Sequence, residues 1–437
     1  MDARKPNAQR VLFAATVAVL VAACASPARA QATGAVNVAG WALSLPAPQF
    51  SADGVGSADL FGPSTIALQG IRADTDAAVE IHEFRGRPIL LGARASFNFA
   101  SGSETNRTAL DGLGSFLLGS NTSSGDRIAL GTTNDAAGVS ASTMLSLADP
   151  SGGTAALDQF TFSPVGPNGT NNAAQSPSSN GGLVLGNVVT DGVDASASAF
   201  GLVADADGFL FAGTGDLTGV DVVTSRDSTL RQAELELQLA TTVPFGSSGF
   251  VLSPSFGPVA RYADRRSTLS TDVLLPPEPN SNARIAATFT NDGRFRSRYL
   301  GGFVGLDIVG TLLSGEILSF GADSGVLHLS ASHTGTAALR SQGFTDERFS
   351  VSMPTQKLNR TTSFARLRAA LARPAGRFTV SLRAEAEYLD AVPTVARDIG
   401  ASATLDALDV TTGEGSELLT TRHAWSGSIS FAVSSRF

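Results

Sequence analysis

The last thirteen residues of the chain alternate between two kinds of side chain. The large apolar residues Trp425, Ile429, Phe431, Val433 and Phe437 all fall on one parity, and the other parity carries only Ser, Ala and Arg. Because successive side chains of a strand point to opposite faces, this pattern predicts a β-strand with one apolar face and one small, polar face.

Three longer segments repeat this alternation on both sides of a short turn. They are residues 233–262, 296–332 and 365–388. Their charged residues fall on the face opposite to the apolar one, which is typical of strands that separate two environments. Polar sequence between these hairpins predicts long loops over roughly 266–294, 333–360 and 391–418.

The upstream half of the chain predicts further strands. Residues 89–100 alternate and could pair with 76–84, and turn sequences at 150–153 and 205–208 indicate two more hairpins. Six hairpins with one strand at each end predict about 14 strands, within a range of about 12 to 16. Such a sheet can lie in lipid only if it closes, because no backbone group may stay unpaired there.

The short turns on one side, the long loops on the other and the final strand resemble a Gram-negative outer-membrane β-barrel. The resemblance implies an all-β fold, a transmembrane antiparallel up-and-down β-barrel surrounded by outer-membrane lipid. It also implies an insertion signal that the barrel-insertion machinery reads in the C-terminal strand, formed by Phe437, Val433, Phe431 and Ile429.

The first thirty residues predict an export signal. Basic residues precede the apolar stretch Val11–Ala23, and Ala28 and Ala30 form a small-residue cleavage pattern. The sequence before Cys24 also resembles a lipoprotein signal, so cleavage after Ala30 and lipidation at Cys24 both stay open.

These signals divide the chain into three parts. We predict a signal peptide over 1–30, an N-terminal plug or periplasmic lead-in over 31–70, and an outer-membrane barrel with long extracellular loops over 71–437. Such a protein is expected in the bacterial outer membrane.

Composition excludes several classes of protein. The net charge is −8, which argues against a nucleic-acid partner. A single Cys allows neither a disulfide nor a Cys-based zinc site within one chain. We expect no metal and no cofactor, and no apolar run is long enough for a transmembrane helix.

Charged residues of both signs are predicted to line the lumen. Opposed charges inside a pore orient polar solutes and set ion preference. The alternative, in which these groups pair with one another and plug the lumen, stays open. The pore-lining candidates are Glu234, Glu236, Arg294, Arg296, Arg298, Asp307, Arg366, Arg368, Arg383, Glu385 and Glu387.

The sequence therefore predicts a porin-like channel for passive passage of small hydrophilic solutes or ions, without enzymatic activity. An autotransporter-like barrel with a passenger at about 31–190 is one alternative. His328 and Ser330, two apart on a predicted strand, are the basis of a second alternative, an outer-membrane esterase. Assembly into a homo-oligomer also stays open.

Overall fold

The structure of the 437-residue chain is a computed structural model. It describes residues 33–47, 51–54, 63–119, 127–135, 138–148, 154–162, 170–178, 182–191, 194–204, 209–245, 249–274, 286–342, 348–352, 354–376, 378–398, 407–411 and 416–436. The predicted signal peptide, Cys24 and Phe437 lie outside these residues. Within them, no helix is long and apolar enough to cross a membrane.

The described residues are almost entirely β-strand. The strands are β1 (Thr33–Pro46), β2 (Ser51–Gly54), β3 (Thr65–Phe84), β4 (Arg87–Ala109), β5 (Leu113–Gly119), β6 (Arg127–Asp135), β7 (Gly138–Ala148), β8 (Thr154–Phe162), β9 (Thr170–Ser178), β10 (Gly182–Asp191), β11 (Asp194–Ala204), β12 (Phe209–Asp216), β13 (Asp221–Thr241), β14 (Val243–Phe245), β15 (Phe250–Leu274), β16 (Ala286–Thr311), β17 (Ile317–Gln342), β18 (Arg348–Ser352), β19 (Gln356–Ala375), β20 (Phe378–Asp398), β21 (Ala407–Thr411) and β22 (Ser416–Arg436).

Ten long strands pair into one closed antiparallel ring. Its order is β1, β3, β4, β13, β15, β16, β17, β19, β20 and β22, and β22 pairs back onto β1. The short strands β14 and β18 pair with β15 and β17. Closure leaves the ring without a free edge along these ten strands.

Short turns join consecutive ring strands at one end. Between β3 and β4, Arg85 and Gly86 both have positive φ, at 53° and 76°. A two-residue hairpin turn with positive φ at both positions follows the right-handed twist of its strands, and Gly adopts that conformation without a steric penalty. All three hairpins predicted around residues 233–262, 296–332 and 365–388 are present, as is the predicted pairing of 76–84 with the strand that follows it.

The ring has fewer strands than the sequence predicted, ten instead of about 14. Hairpins do flank 150–153 and 205–208, as β7 with β8 and β11 with β12, but these four strands lie in other sheets. The reason is the pairing of β4 with β13, which runs without interruption from Ile89↔Thr241 to Ala109↔Asp221. No further strand fits between two strands that are already paired.

The chain between β4 and β13 forms most of a two-sheet assembly, which we call the cap. One cap sheet has the order β2, β5, β12, β11, β10, β9, and the other has β21, β6, β7, β8. Strand β2 lies in the connection between β1 and β3, and strand β21 lies in the connection between β20 and β22. The cap reaches the ring through Phe211, whose ring centroid lies 5.4 Å from that of Phe289 on β16.

Two predicted segments are placed differently by the structure. Residues 33–46, predicted within a plug or lead-in, form a ring strand that pairs with β22 on one edge and β3 on the other. The predicted passenger at 31–190 is not a separate unit, because β1, β3 and β4 belong to the ring. Without these strands the ring would have two open edges.

The predicted long loops are shorter than the sequence suggested. β15 and β16 stay paired out to Leu274↔Ala286, and β16 and β17 out to Ala286↔Gln342. A β-ladder can continue beyond an apolar environment, because its hydrogen bonds are equally satisfied there. Polar composition therefore marked as loop several stretches whose described residues are strand.

Candidate functional site: the interior of the ring

The outer face of the ring carries a continuous apolar surface, which we call the apolar belt. On β19, Leu367 is 64% exposed while the neighbouring Arg366 is 1% exposed. An exposed apolar surface that encircles a sheet is not normal for a protein surrounded by water. The belt comprises Val38, Ile71, Leu91, Phe97, Phe99, Leu237, Phe256, Leu300, Val304, Leu306, Ile308, Phe320, Val326, Leu367, Leu371, Leu382, Trp425, Ile429, Phe431 and Val433.

Strand β16 shows where the apolar belt ends. Towards the short turns its outward residues are apolar, from Leu300 to Ile308. Towards the cap its outward residues are Arg298, Arg296 and Arg294, whereas its inward residues include Phe295 and Tyr299, both buried. The polarity of the two faces thus reverses between Arg298 and Leu300. The reversal is expected where apolar surroundings give way to water outside and the interior becomes a packed core.

Arg366 on β19 lies at the centre of the interior. Its guanidinium donates to Glu236 at 2.6 Å, to Glu234 at 2.8 Å and to Glu387 at 3.1 Å. Both Glu234 and Glu236 are on β13, four strands away from β19 around the ring. These hydrogen bonds therefore cross the interior from one wall to the opposite one.

Arg261 on β15 completes this arrangement. It donates to Glu234 at 2.6 Å and forms a bidentate pair with Glu387 at 2.7 and 2.8 Å. We call Glu234, Glu236, Arg261, Arg366 and Glu387 the ion-pair layer. All five side chains are buried, so each charge is compensated by bonded partners rather than by water.

A second group of ion pairs lies next to the layer on its short-turn side. Glu385 accepts from Arg72 at 2.6 Å and from Arg94 at 2.9 Å. Arg368 donates to Asp323 at 2.8 Å and to Asp307 at 3.2 Å.

Below these pairs the interior opens towards the short turns. A polar cavity of about 320 Å³ lies there, and its lining includes Asn37, Asp76, Arg383 and Ser430. Arg383 and Asp76 face each other at 3.5 Å. This side of the interior therefore holds space that the ion-pair layer does not fill.

The small strand number explains why the interior closes. An eight-stranded barrel is just wide enough for side chains to fill, whereas barrels of about 16 strands leave an aqueous channel. Ten strands are close to the first case. Long Arg and Glu side chains from opposite walls can then meet, as Arg366 and Glu234 do.

The cap side of the interior holds apolar side chains around the buried cation Arg265. Trp41, Leu43 and Phe295 line a small cavity there together with Arg265. Arg265 donates to the carbonyl oxygen of Pro46 at 2.7 Å, and burial lowers the pKa of its guanidinium to about 10.

Eight of the eleven predicted pore-lining residues do lie inside the ring. Arg294, Arg296 and Arg298 do not, because they share the outward parity of Leu300. The alternation itself could have shown this, since these arginines are an even number of residues from Leu300. The residues inside are Glu234, Glu236, Asp307, Arg366, Arg368, Arg383, Glu385 and Glu387.

Sequence reasoning also missed several interior charges. Arg261 lies between Ala260 and Tyr262, both predicted on the apolar face, so its parity indicated an inward position. Arg72, Arg94 and Asp323 follow the same rule on their strands. Which carboxylate each arginine meets across the ring could not be read from parity.

The remaining candidate residues from the sequence lie outside the interior of the ring. His328 and Ser330 are both exposed on the outer face of β17. No group of three or more His, Cys, Asp or Glu side chains suited to a metal ion occurs among the residues that the structure describes. The remaining insertion-signal residues, Ile429, Phe431 and Val433, are exposed on the outer face of β22.

Comparison with known proteins gives only weak similarity. No protein-family model matches the chain, and no curated protein is significantly similar in sequence. Among solved structures, the outer membrane protease OmpT from Escherichia coli is 8% identical with a TM-score of 0.28, covering 94% of this chain and 98% of that chain. A Pseudomonas aeruginosa FadL homologue is 10% identical with a TM-score of 0.19, covering 94% and 91%. Similarities at these TM-scores carry no argument about function.

Proposed function

We propose that this protein is an outer-membrane β-barrel whose lumen is closed by the ion-pair layer and whose cap is held at the cell surface. In this proposal the ring anchors the cap in the membrane, the chain has no enzymatic activity, and its partners are outer-membrane lipid and, through β22, the barrel-insertion machinery.

The apolar belt supports the membrane location. On β16 the belt runs from Leu300 to Ile308, a span of nine residues that matches the roughly 9–11 tilted residues that a transmembrane strand needs. Ring closure satisfies the backbone groups that lipid cannot. A water-soluble protein would have no reason to turn these side chains outward and the charged ones inward.

The observation that carries the closed lumen is the buried contact of Arg366 with carboxylates of the opposite wall. An ion cannot pass this level unless those hydrogen bonds separate. Porin-like passage of small hydrophilic solutes, the function predicted from the sequence, remains a second candidate. The polar cavity on the short-turn side favours this porin-like function, because the cavity would form one half of a solute pathway through the ring.

Two measurements on the full-length protein test the proposal. Expression in a Gram-negative host followed by membrane fractionation should place the folded protein in the outer membrane. Purified protein in planar bilayers should then show no steady conductance steps. Recovery in the soluble fraction contradicts the membrane location. Large, stable conductance contradicts the closed lumen and favours the porin-like candidate.

A further inference from the structure

The three arginines that were wrongly predicted inside the lumen belong to a cluster on the outer face. Strand register brings Arg266 opposite Arg294, and Asp264 opposite both Arg296 and Arg231. We call the cluster the outer basic patch. Its members are Arg231, Arg266, Arg294, Arg296, Arg298 and Lys357 on β13, β15, β16 and β19.

The positive charge of this patch exceeds the negative charge near it. Asp264 is the acidic side chain within its rows among the described residues, and it is bound by Arg294 at 2.8 Å. That hydrogen bond is the main reason why the pKa of Asp264 is lowered. Asp227 and Asp292 lie in the next row towards the cap, where both are opposite Thr268. Arg296 and Arg298 form no ion pair within the described part of the chain. Like charges facing one another across strands destabilise a sheet unless a partner neutralises them.

The patch lies at one particular height on the ring. Arg298 is followed on the outward face of β16 by Leu300, the first residue of the apolar belt. On β15 the outward Tyr262 lies opposite Arg298, and Phe256 lies further into the belt. A cation at this height meets the polar layer of a membrane, where lipid headgroups are.

Arginine suits an anionic oxygen ligand of this kind. Its planar fork binds phosphate through two parallel hydrogen bonds, and five of the six cations of the patch are arginine. A phosphate in the plane of the belt edge could contact side chains from neighbouring strands at once. Among the described residues, no carboxylate of this chain forms an ion pair with Arg296 or Arg298.

We propose that the outer basic patch binds the phosphate groups of anionic lipid headgroups in the membrane leaflet on the cap side. The proposal rests on the proposed function, since it requires the apolar belt to be embedded in a membrane. Lipid is favoured over a soluble anion because the patch borders the belt directly.

The test uses the full-length protein in zwitterionic detergent micelles, with thermal unfolding as the readout. Phosphatidylglycerol doped into the micelles should raise the Tm, whereas phosphatidylcholine and inorganic phosphate at the same concentration should not. The double variant R296Q/R298Q should lose at least half of the phosphatidylglycerol shift. The matched control R85Q/R87Q, which removes two cations at a short turn, should keep the shift. R296K/R298K, which preserves charge without the planar fork, should keep part of it.

Several outcomes would overturn the proposal. If R296Q/R298Q keeps the full shift, or if R85Q/R87Q loses as much of it, the patch is not the binding site. If inorganic phosphate reproduces the whole shift, the ligand is a free anion and not a lipid. Failure of the membrane proposal would be seen separately, as wild-type protein recovered from the soluble fraction.

Discussion

Arg366 on β19 and Glu234 on β13 lie four strands apart around the ring, yet the Arg366 guanidinium donates to the Glu234 carboxylate at 2.8 Å. The contact links opposite walls of the ring through its centre. Because Arg366 also binds Glu236 and Glu387, one side chain holds three carboxylates from two walls together. We therefore expect Arg366 to determine both the stability and the closure of the lumen.

Replacing Arg366 with Met should open the lumen. The change leaves Glu234, Glu236 and Glu387 with one cation, Arg261, and breaking a buried ion pair in this way costs about 3–5 kcal/mol. Water must enter to solvate the excess negative charge. In planar bilayers we expect R366M to give cation-selective conductance that the wild type lacks.

The control for this prediction is R373Q, at an exposed position of the same strand. It should behave as the wild type. If R366M inserts and folds, as judged by its heat-modifiable mobility on gels, and still conducts nothing, then the ion-pair layer is not what closes the lumen.

The contrast between Arg298 and Arg366 shows how far sequence alone could go. Parity assigns a face to every residue of a strand, and for Arg366 the inward face was predicted correctly. Arg298 has the parity of Leu300, but the assumption that charges face the lumen placed it inside. That assumption holds only along the apolar belt, and the height at which the belt ends depends on neighbouring strands.

The sequence could not decide between an open lumen and one plugged by ion pairs, because barrel width depends on strand number. The hairpins β7–β8 and β11–β12 have turn signals like those of the ring, so the sequence counted them as ring strands. Their exclusion depends on the long-range pairing of β4 with β13. Removing four strands from about 14 changes an open channel into an interior that side chains can fill.

The apolar belt predicts a large penalty for charge at its centre. Leu306 is outward-facing on β16, within the belt, and 42% exposed. If the belt lies in lipid as proposed, L306R places an arginine in hydrocarbon and should lower the free energy of unfolding from lipid vesicles by about 2–4 kcal/mol. Reversible urea unfolding of the reconstituted protein measures this.

A matched leucine outside the belt provides the control. Leu113, at the start of β5 in the cap, is 73% exposed. If its surroundings are water, L113R should change the free energy of unfolding by less than about 0.5 kcal/mol. Equal effects of the two substitutions would mean that the belt is not in contact with lipid.

The close approach of β15 to β13 depends on Gly257. A Cβ at this position would clash with the carbonyl oxygen of Leu237, so the backbone must shift to accept any side chain. We expect G257A to destabilise the ring by about 1–3 kcal/mol, as overpacking does in a core. G40A on β1 is the control, because a Cβ there meets nothing within 4 Å. Similar denaturation midpoints for the two variants would contradict this packing argument.

The contact of Phe211 in the cap with Phe289 on β16 predicts that the two parts stabilise each other. Their ring centroids are 5.4 Å apart and the rings are tilted by 47°, a geometry in which aromatic pairs contribute about 0.5–1.5 kcal/mol beyond the area they bury. A double-mutant cycle with F211L, F289L and the combined variant measures that coupling through thermal or urea unfolding. Limited proteolysis should also cut the cap faster in each single variant. Fully additive effects, with unchanged cleavage of the cap, would show that the cap is held to the ring by its chain connections alone.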